Sequence, residues 1–352
     1  MTRTPETSDI GFAAEAGSFG EAHRRVLARL LESRIETTPT EKDSISFGRQ
    51  CSELLSASFV VRDPLGPLAL GARHGFHAAG AVARILWMLR GESRVAPLVP
   101  YWGDGLYRLS DDRATLAGSN TGARIFGKSL GGGQYASARH RLRSEPTSRR
   151  AFISILGAED ALRRGRDIPC TIGVAFQRRE TVLYTHVMMR ANDAHNLLPY
   201  NWLEYSLIAA LLADDVKAEL GPIAYTASTL HLYERDRETA RSHLSTAPLE
   251  SPLLDVGAKP WSDIPDLISL EASLRDASVS WERRERQGIQ TAEAVSGTWS
   301  QFALILTHFH ALKNAQPTDE LWEMISPAWR PFVRLASEEK PLAPSAGQAH
   351  GA

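Results

Sequence analysis

The sequence predicts an α+β protein, and three observations support this class. Two long β-rich runs, TIGVAFQ and TVLYTHVMMR, are separated only by the charged RRE, which is typical of a hairpin. Several other segments carry apolar residues at helical spacing. Strands and helices follow one another without the regular alternation of a doubly wound sheet, so α+β is favoured over α/β.

Three helices are predicted around this hairpin. GEAHRRVLARLLES places Val26, Leu27 and Leu30 at helical spacing, and FHAAGAVARILWMLRG forms a second helix that Gly91 ends. NWLEYSLIAALLADD gives a third helix with Leu207 on its apolar face. We expect the first two helices to pack on a sheet.

Four regions are expected along the chain. Both ends are rich in small and polar residues, which predicts a disordered N-terminus at residues 1–18 and a disordered tail at 338–352. A main domain spans 19–240. A Pro-rich, polar stretch then leads into a helical C-terminal extension, 241–337, which we expect to pack on the main domain.

Composition excludes several classes of protein. Of the 352 residues, 43% are hydrophobic and 23% are charged, and the net charge is −1, so no global field favours nucleic acid or an anionic membrane. No run reaches the length of a membrane span, and the acidic, polar start lacks a signal-peptide core, which predicts a cytoplasmic protein. Cys51 and Cys170 are expected to be thiols.

GARIFGKS, at residues 122–129, fits the phosphate-loop pattern G-x-x-x-x-G-K-[ST]. A working phosphate loop leaves a buried strand and enters a helix. Here the polar TLAGSNT precedes it and the glycine-rich LGGGQ follows it. We therefore interpret the segment as a turn-rich loop and not as a nucleotide triphosphatase motif.

Four other segments stand in a suggestive order: SRRAFISI, IPCTIGVAF, RANDAHNLLPYN and HLY. Together they resemble the SRR, P-C, R-S-x-D with L-P-x-N, and H-x-Y segments of thymidylate synthase. ISFG at residues 45–48 is similar to the family's first strand, and ARILWMLRG to one of its helices. The resemblance covers residues 42–236 and implies a large mixed β-sheet packed with helices, to which the C-terminal helical region is an addition.

Cys170 is the candidate nucleophile. Carbon 5 of a pyrimidine becomes reactive only after something adds to carbon 6, and a thiolate adds and leaves readily. A lone cysteine in a strand is more often an inert buried side chain, but the surrounding motifs favour the catalytic interpretation. We expect the guanidinium of Arg190 to favour the thiolate.

Arginines are the candidate phosphate ligands, because planar guanidiniums bind phosphate oxygens in bidentate fashion. The candidates are Arg149, Arg150 and Arg190. The resemblance implies that the SRR pair reaches the phosphate of the partner subunit, and therefore a homodimer. Without the resemblance, Arg149 and Arg150 are simply charged residues beside a strand.

Three residues are candidates for reading the nucleoside. The amide of Asn201 offers a donor and an acceptor, which favours uracil, while amide flips leave cytosine open. The resemblance gives His231 and Tyr233 contacts to the sugar hydroxyl. Ala191 replaces a serine of the family, which leaves ribose and deoxyribose open.

The resemblance implies 5,10-methylenetetrahydrofolate as the one-carbon donor. Asp193 matches the aspartate that binds the pterin, and Trp102 resembles a tryptophan that packs on it. Leu197 replaces a glycine that gives the folate room, and Arg84 replaces a catalytic glutamate. Gly122 matches a glycine of the loop beside this cleft, which would include GARIFGKS.

Two functions remain open from the sequence. The first is folate-dependent transfer to carbon 5 of a pyrimidine nucleoside monophosphate, with a methyl product if the folate gives hydride and a hydroxymethyl product if water enters. In it we predict that Arg84 points into the cleft and donates to the base oxygen; a surface position is the alternative. The second is a nucleotide-binding homologue with altered catalysis, since Arg84 cannot relay protons as a carboxylate does.

Overall fold

The computed structural model describes residues 10–41, 46–71, 74–116, 118–127, 129–249, 251 and 253–333. Within these ranges, no helix combines the length and the apolar character needed to cross a membrane. The predicted tail at 338–352 lies outside the described residues, as do residues 1–9.

One mixed sheet forms the centre of the molecule, and the α+β prediction is confirmed. The described strands are β1 (Ala13–Ala16), β2 (Glu36–Thr37), β3 (Cys51–Val61), β4 (Leu70–Gly71), β5 (Phe152–Ser154), β6 (Thr171–Arg179), β7 (Val182–Asp193), β8 (Glu219–Tyr233) and β9 (Pro248–Leu249). The sheet order is β1-β3-β8-β7-β6-β5, with β2 paired to β3, while β4 and β9 form a separate pair.

Helices occupy the intervals between the strands and most of the C-terminal region. The described helices are α1 (Phe19–Glu32), α2 (Ala78–Leu89), α3 (Val99–Trp102), α4 (Thr121–Phe126), α5 (Gly133–Ser144), α6 (Ala158–Leu162), α7 (Leu198–Asp215), α8 (Arg237–Ser245), α9 (Pro260–Arg275), α10 (Trp281–Ala294), α11 (Thr298–Lys313) and α12 (Asp319–Met324). Gly91, with a positive φ of 63°, lies just after α2, where the sequence predicted the helix to end.

The predicted hairpin is present as β6 and β7, which pair antiparallel. Glu180 lies between these strands in the left-handed region, with a φ of 52°. β7 then pairs parallel with β8, and α7 connects them. In this crossover the loop at 194–197 leads from the end of β7 into α7. This loop and the start of α7 therefore lie beside the ends of the central strands.

The two faces of the sheet differ. Val174, Val187, Tyr225 and Phe59 form a row across four neighbouring strands, and all are buried. α1 and α7 contact these central strands. α7 is itself buried over almost its whole length, so it forms the core of the molecule and holds its polar residues away from solvent.

The opposite face is partly open. A row of Phe152, Ala175, His186 and Ala224 runs across β5, β6, β7 and β8. Phe152 is 43% exposed, and Tyr184 in the same sheet is 42% exposed. The sheet therefore buries one face in its own core and presents the other, with large apolar side chains, to the outside. We call this surface the open sheet face.

The C-terminal extension packs on the main domain, but its boundary differs from the prediction. The expected division between residues 240 and 241 falls inside α8. β9, beyond that point, pairs with β4 of the main domain. α11 contacts α2, α9 and α10, and Trp299 on α11 donates a hydrogen bond to the carbonyl of Val256.

Two expectations near the N-terminus are wrong in part. Residues 13–16, predicted to be disordered, form β1, which pairs parallel with β3. Sheet pairing thus orders a segment whose composition is typical of disorder. ISFG was predicted as the first strand; residue 45 lies outside the described residues, and 46–48 form a turn. The strand begins later, at Cys51.

Candidate active site

Cys170 lies just before β6 and is half-buried. The main-chain N–H of Arg190, on β7, donates to the carbonyl of Cys170 at 2.8 Å. The side chain of Arg190 turns back towards the same loop. Its Nε donates to the carbonyl of Pro169 at 2.8 Å, and its Nη2 to that of Ile168 at 3.1 Å. The structure therefore brings Cys170 and Arg190 together, as the sequence predicted.

The charge balance at Cys170 differs from the expectation. Burial raises the pKa of the Cys170 thiol, and this outweighs the guanidiniums of Arg190 and Arg84, which lower it; Asp167 adds to the rise. In the free chain the thiol form is therefore favoured, because removing the sulfur from water penalises its charged form. Arg190 does lower the pKa of Cys170, as expected, but burial of the sulfur has the larger effect.

Arg84 points into the protein and not out to solvent. Its Nε lies 2.7 Å from Oε1 of Glu204, and its Nη2 donates to Oε2 at 3.1 Å, which makes the pair bidentate. Glu204 is on α7 and only 3% exposed, whereas the Arg84 side chain is 24% exposed. Burial raises the pKa of Glu204, although Arg84 opposes the rise. Glu204 was missed from the sequence, where it looks like one more position of an apolar helix.

Asn201 is held on both sides of its amide. Nη2 of Arg84 donates to Oδ1 of Asn201 at 2.6 Å, and Nδ2 of Asn201 donates to Oδ1 of Asn192 at 3.2 Å. Nδ2 of Asn192 in turn donates to the hydroxyl of Tyr225 at 2.6 Å. An arginine has no acceptor, so the oxygen of the Asn201 amide must face Arg84. The ambiguity of the amide orientation is thereby removed.

The candidate sugar ligands lie together at the end of β8. The ring centroids of His231 and Tyr233 are 5.0 Å apart. Burial lowers the pKa of His231 and raises that of Tyr233 to about 12. Both side chains are therefore neutral at pH 7 and act as hydrogen-bonding groups. His231 pairs in register with Asp193 on β7.

Asp193 accepts hydrogen bonds from the loop that follows it. Its Oδ1 accepts hydrogen bonds from the main-chain N–H groups of His195 and Asn196, and its Oδ2 accepts from Nδ2 of Asn196. A carboxylate has about four acceptor positions, so about one remains on Oδ2 for an external donor. Leu197, the next residue along, is 42% exposed and immediately precedes α7.

Trp102 ends α3 beside the start of α2. Its ring centroid lies 5.4 Å from that of His77 and 5.3 Å from that of Tyr200. A Cβ on Gly80 would come within 2.7 Å of the indole, so this close approach requires glycine. Phe309 of the extension lies 5.3 Å from His77. Trp102 thus packs against α2, the helix that carries Arg84, and contacts the rings of His77 and Tyr200.

Arg149 and Arg150 do not join this cluster within the chain. Both precede β5 and are exposed. Among the described residues, neither side chain has a hydrogen bond or an ion pair. They are two unneutralised cations on the surface, available to a ligand or to another subunit.

The GARIFGKS segment is mostly helical, so the loop prediction is wrong for it. Residues up to Phe126 belong to α4, and Lys128 lies outside the described residues. A Cβ on Gly122 would come within 1.8 Å of the carbonyl oxygen of Met88, so glycine here allows α4 to pack on α2. Among the described residues before Gly122 (118–120), no strand leads into the motif, and Gly122 serves packing.

Comparison with known proteins shows which family this chain is similar to. A family model described as thymidylate synthase matches residues 67–276, which is more than half of the chain. The chain is similar to a thymidylate synthase of Francisella philomiragia subsp. philomiragia, at 26% identity over 53% of this chain and 72% of that protein. It is also similar to a thymidylate synthase of Buchnera aphidicola subsp. Baizongia pistaciae, at 25% identity over 52% and 70%.

Proposed function

Because the chain belongs to the thymidylate synthase family, we propose that it transfers a one-carbon unit from a folate to carbon 5 of a pyrimidine nucleoside monophosphate. The observation that carries this proposal is the hydrogen bonding of Arg190 to the segment that holds Cys170, through the carbonyls of Ile168, Pro169 and Cys170. Burial raises the pKa of the Cys170 thiol, and the guanidiniums of Arg190 and Arg84 oppose that rise, so they are proposed to assist its deprotonation when the nucleotide binds.

In the proposed reaction the Cys170 thiol loses its proton to water, and the thiolate adds to carbon 6 of the base. The S–C6 bond forms as the C5–C6 double bond opens, and electron density moves to carbon 5 and to the base oxygen. After the one-carbon unit has joined carbon 5, the hydrogen of carbon 5 leaves as a proton to water and the S–C6 bond breaks, which releases the thiolate. Arg84, which donates but does not accept protons, is proposed to stabilise that negative charge. Arg190 is proposed to contact the phosphate, and His231 and Tyr233 the sugar. Asn201, with its amide fixed by Arg84, is proposed to contact the base.

The residues around Trp102 are compatible with a bound folate, in part. The indole offers an aromatic surface beside Tyr200, and Asp193 keeps about one acceptor position for a pterin donor. Leu197 narrows the space through its exposed side chain. When bound, 5,10-methylenetetrahydrofolate would supply the one-carbon unit and, for a methyl product, the hydride.

Two products are compatible with this site, methyl and hydroxymethyl. Hydroxymethylation needs a water molecule where a hydride donor would otherwise react. The changes at Leu197 and Arg84, relative to the family pattern, fall where folate and base meet, so we propose hydroxymethylation on an equal footing with methylation. Product analysis distinguishes the two.

We also propose a homodimer that joins through the open sheet face. Large aromatic side chains on one face of a sheet are costly to expose to water, and a second copy of the chain would cover them symmetrically. The exposed rings of Phe152 and Tyr184 lie on this face. Arg149 and Arg150, which precede β5 at the edge of the sheet, are then proposed to reach the phosphate in the partner's site.

A covalent adduct tests the proposal most directly. The protein is incubated with a uridine or cytidine monophosphate, in ribose and deoxyribose forms, together with methylenetetrahydrofolate. We expect the intact mass to increase by the nucleotide at Cys170, and a carbon-5 product to accumulate. Binding of nucleotide without any adduct or product would favour the alternative, a nucleotide-binding homologue with altered catalysis.

A further inference from the structure

Glu204 is a buried carboxylate that the proposed reaction does not use. It lies one turn beyond Asn201 on α7 and is held by Arg84 of α2 in a bidentate ion pair. Burying both partners of such a pair is expensive unless the geometry is good. The structure thus places a costly charge pair within hydrogen-bond reach of the residue proposed to contact the base.

The contacts form one chain of donors and acceptors. Glu204 accepts from Nε and Nη2 of Arg84, and Nη2 also donates to Oδ1 of Asn201. The Nη1 group of Arg84 has no hydrogen bond within the described residues, and the side chain is 24% exposed. Two N–H donors of a fixed guanidinium are therefore left for a ligand.

We infer that Glu204 is a positioning residue, which holds Arg84 against Asn201 so that the three side chains act as one base-selecting unit. This inference rests on the proposed function. The amide N–H groups of Asn201 bond to Asn192 and Tyr225, so the unit presents the free N–H groups of Arg84 together with one remaining lone pair on Oδ1 of Asn201. A uracil-type edge, with a carbonyl acceptor beside a ring N–H, satisfies that pattern. The amino group of cytosine would meet donors.

The same unit contributes to the charge near Cys170 through Arg84. Three charged groups shift the pKa of this sulfur, namely Arg190 on β7, Asp167 in the preceding loop and Arg84 on α2. The sulfur in turn raises the pKa of the buried phenol of Tyr225 on β8. Replacing Glu204 by glutamine keeps an acceptor for Arg84 but removes the compensating negative charge. The net positive charge facing Cys170 then rises, which favours the thiolate.

The experiment uses the full chain in a Cys51→Ala background, so that Cys170 alone reports. The rate of alkylation by iodoacetamide, in which the thiolate displaces iodide, is measured against pH. We expect Glu204→Gln to raise the rate at pH 7 by about tenfold and Arg84→Met to lower it, since one unit of pKa changes the thiolate fraction about tenfold. Glu271→Gln is the matched control, because Glu271 is buried in a similar bidentate pair with Arg275 on α9.

Nucleotide binding supplies the second measurement. Calorimetric titration with uridine and cytidine monophosphates should show tighter binding of the uracil nucleotide by wild type, and Glu204→Gln should reduce that preference about tenfold, the effect of one misdirected hydrogen bond to a charged group. If Glu204→Gln matches Glu271→Gln in both measurements, the inference is overturned. If the alkylation profile shifts as expected but wild type binds no pyrimidine nucleotide, the placement of Glu204 stands and the proposed function fails.

Discussion

The hydroxyl of Tyr205 donates a hydrogen bond to Oγ1 of Thr171 at 2.6 Å, and Thr171 is the residue next to Cys170. Tyr205 is on α7 and buried, so this bond ties the central helix to the start of β6. Burial raises the pKa of Tyr205, which keeps the phenol protonated and able to donate. The position of Cys170 thus depends on a helix that does not contain it.

Tyr205→Phe is expected to lower the free energy of unfolding by about 1–3 kcal/mol, because Thr171 loses its donor in a buried position. Urea unfolding measures the change. Tyr107→Phe is the matched control, since Tyr107 is half-buried and has no hydrogen bond from its hydroxyl among the described residues. Equal stability of the two variants would show that the Tyr205 bond contributes nothing.

Cys170→Ala is expected to abolish turnover while leaving nucleotide affinity largely intact, because the S–C6 bond can no longer form. Steady-state product formation and calorimetry provide the two measurements. Cys51→Ala is the control and should change product formation very little, because burial raises the pKa of Cys51 to about 11 and so disfavours its thiolate. Product above a few per cent from the Cys170 variant would refute the assignment of the nucleophile.

Arg84→Ala is expected to lower tritium release from carbon 5 of a labelled pyrimidine nucleotide by about two to three orders of magnitude, the usual effect of losing one such donor. The variant also leaves Glu204 buried without its partner, which destabilises the fold. Arg84→Ala/Glu204→Gln removes that penalty and should recover stability but not tritium release. Full release from the double variant would exclude a direct role for Arg84.

Mixing two inactive variants is expected to restore part of the activity. In a heterodimer of Cys170→Ala with Arg149→Ala/Arg150→Ala subunits, one of the two sites keeps both its cysteine and the partner's arginines. Activity is measured after the subunits have been exchanged, and heterodimers are verified with two affinity tags. Heterodimers that form but show no activity would mean that each site is built within one chain.

Stability is expected to fall below pH 6.5. Burial lowers the pKa of His77 and His243 to about 4, and holds the pKa values of His23 and His74 well below the ordinary value of 6.5. In the window between about 4 and 6.5 the unfolded chain binds protons that the folded chain does not, so stability present above pH 6.5 is lost as the pH falls. Urea midpoints at pH 7.5 and 5.5 measure this, with carboxylates still ionised; equal midpoints would contradict it.

Much of the fold was predictable because its signals are local. The β6–β7 hairpin follows from two β-rich runs and a short charged separator, and the helices follow from apolar spacing. β1 was not predictable, since residues 13–16 become ordered only by pairing with a distant strand. The order of strands in the sheet likewise depends on long-range packing.

The candidate site likewise has a part that the sequence predicts and a part that it does not. The neighbourhood of Cys170 and Arg190 was predictable from motifs in order, and the structure brings the two together. The partner of Arg84 was not predictable, because Glu204 lies 120 residues away within an apolar helix. The rise in the pKa of Cys170 was also not predictable from the sequence, because the desolvation of its sulfur depends on side chains from several helices and strands.

The contact between α3 and α11 has a consequence for how the protein is made. Lys313 donates to the carbonyl of Pro100 across 213 positions, and the hydroxyl of Tyr101 lies 2.9 Å from Nε2 of His310 across 209. The residues around Trp102 therefore lack this support until α11 has left the ribosome. A nascent chain stalled before α11 would contain Cys170, Arg84 and Arg190 but not the contacts that hold α3 in place.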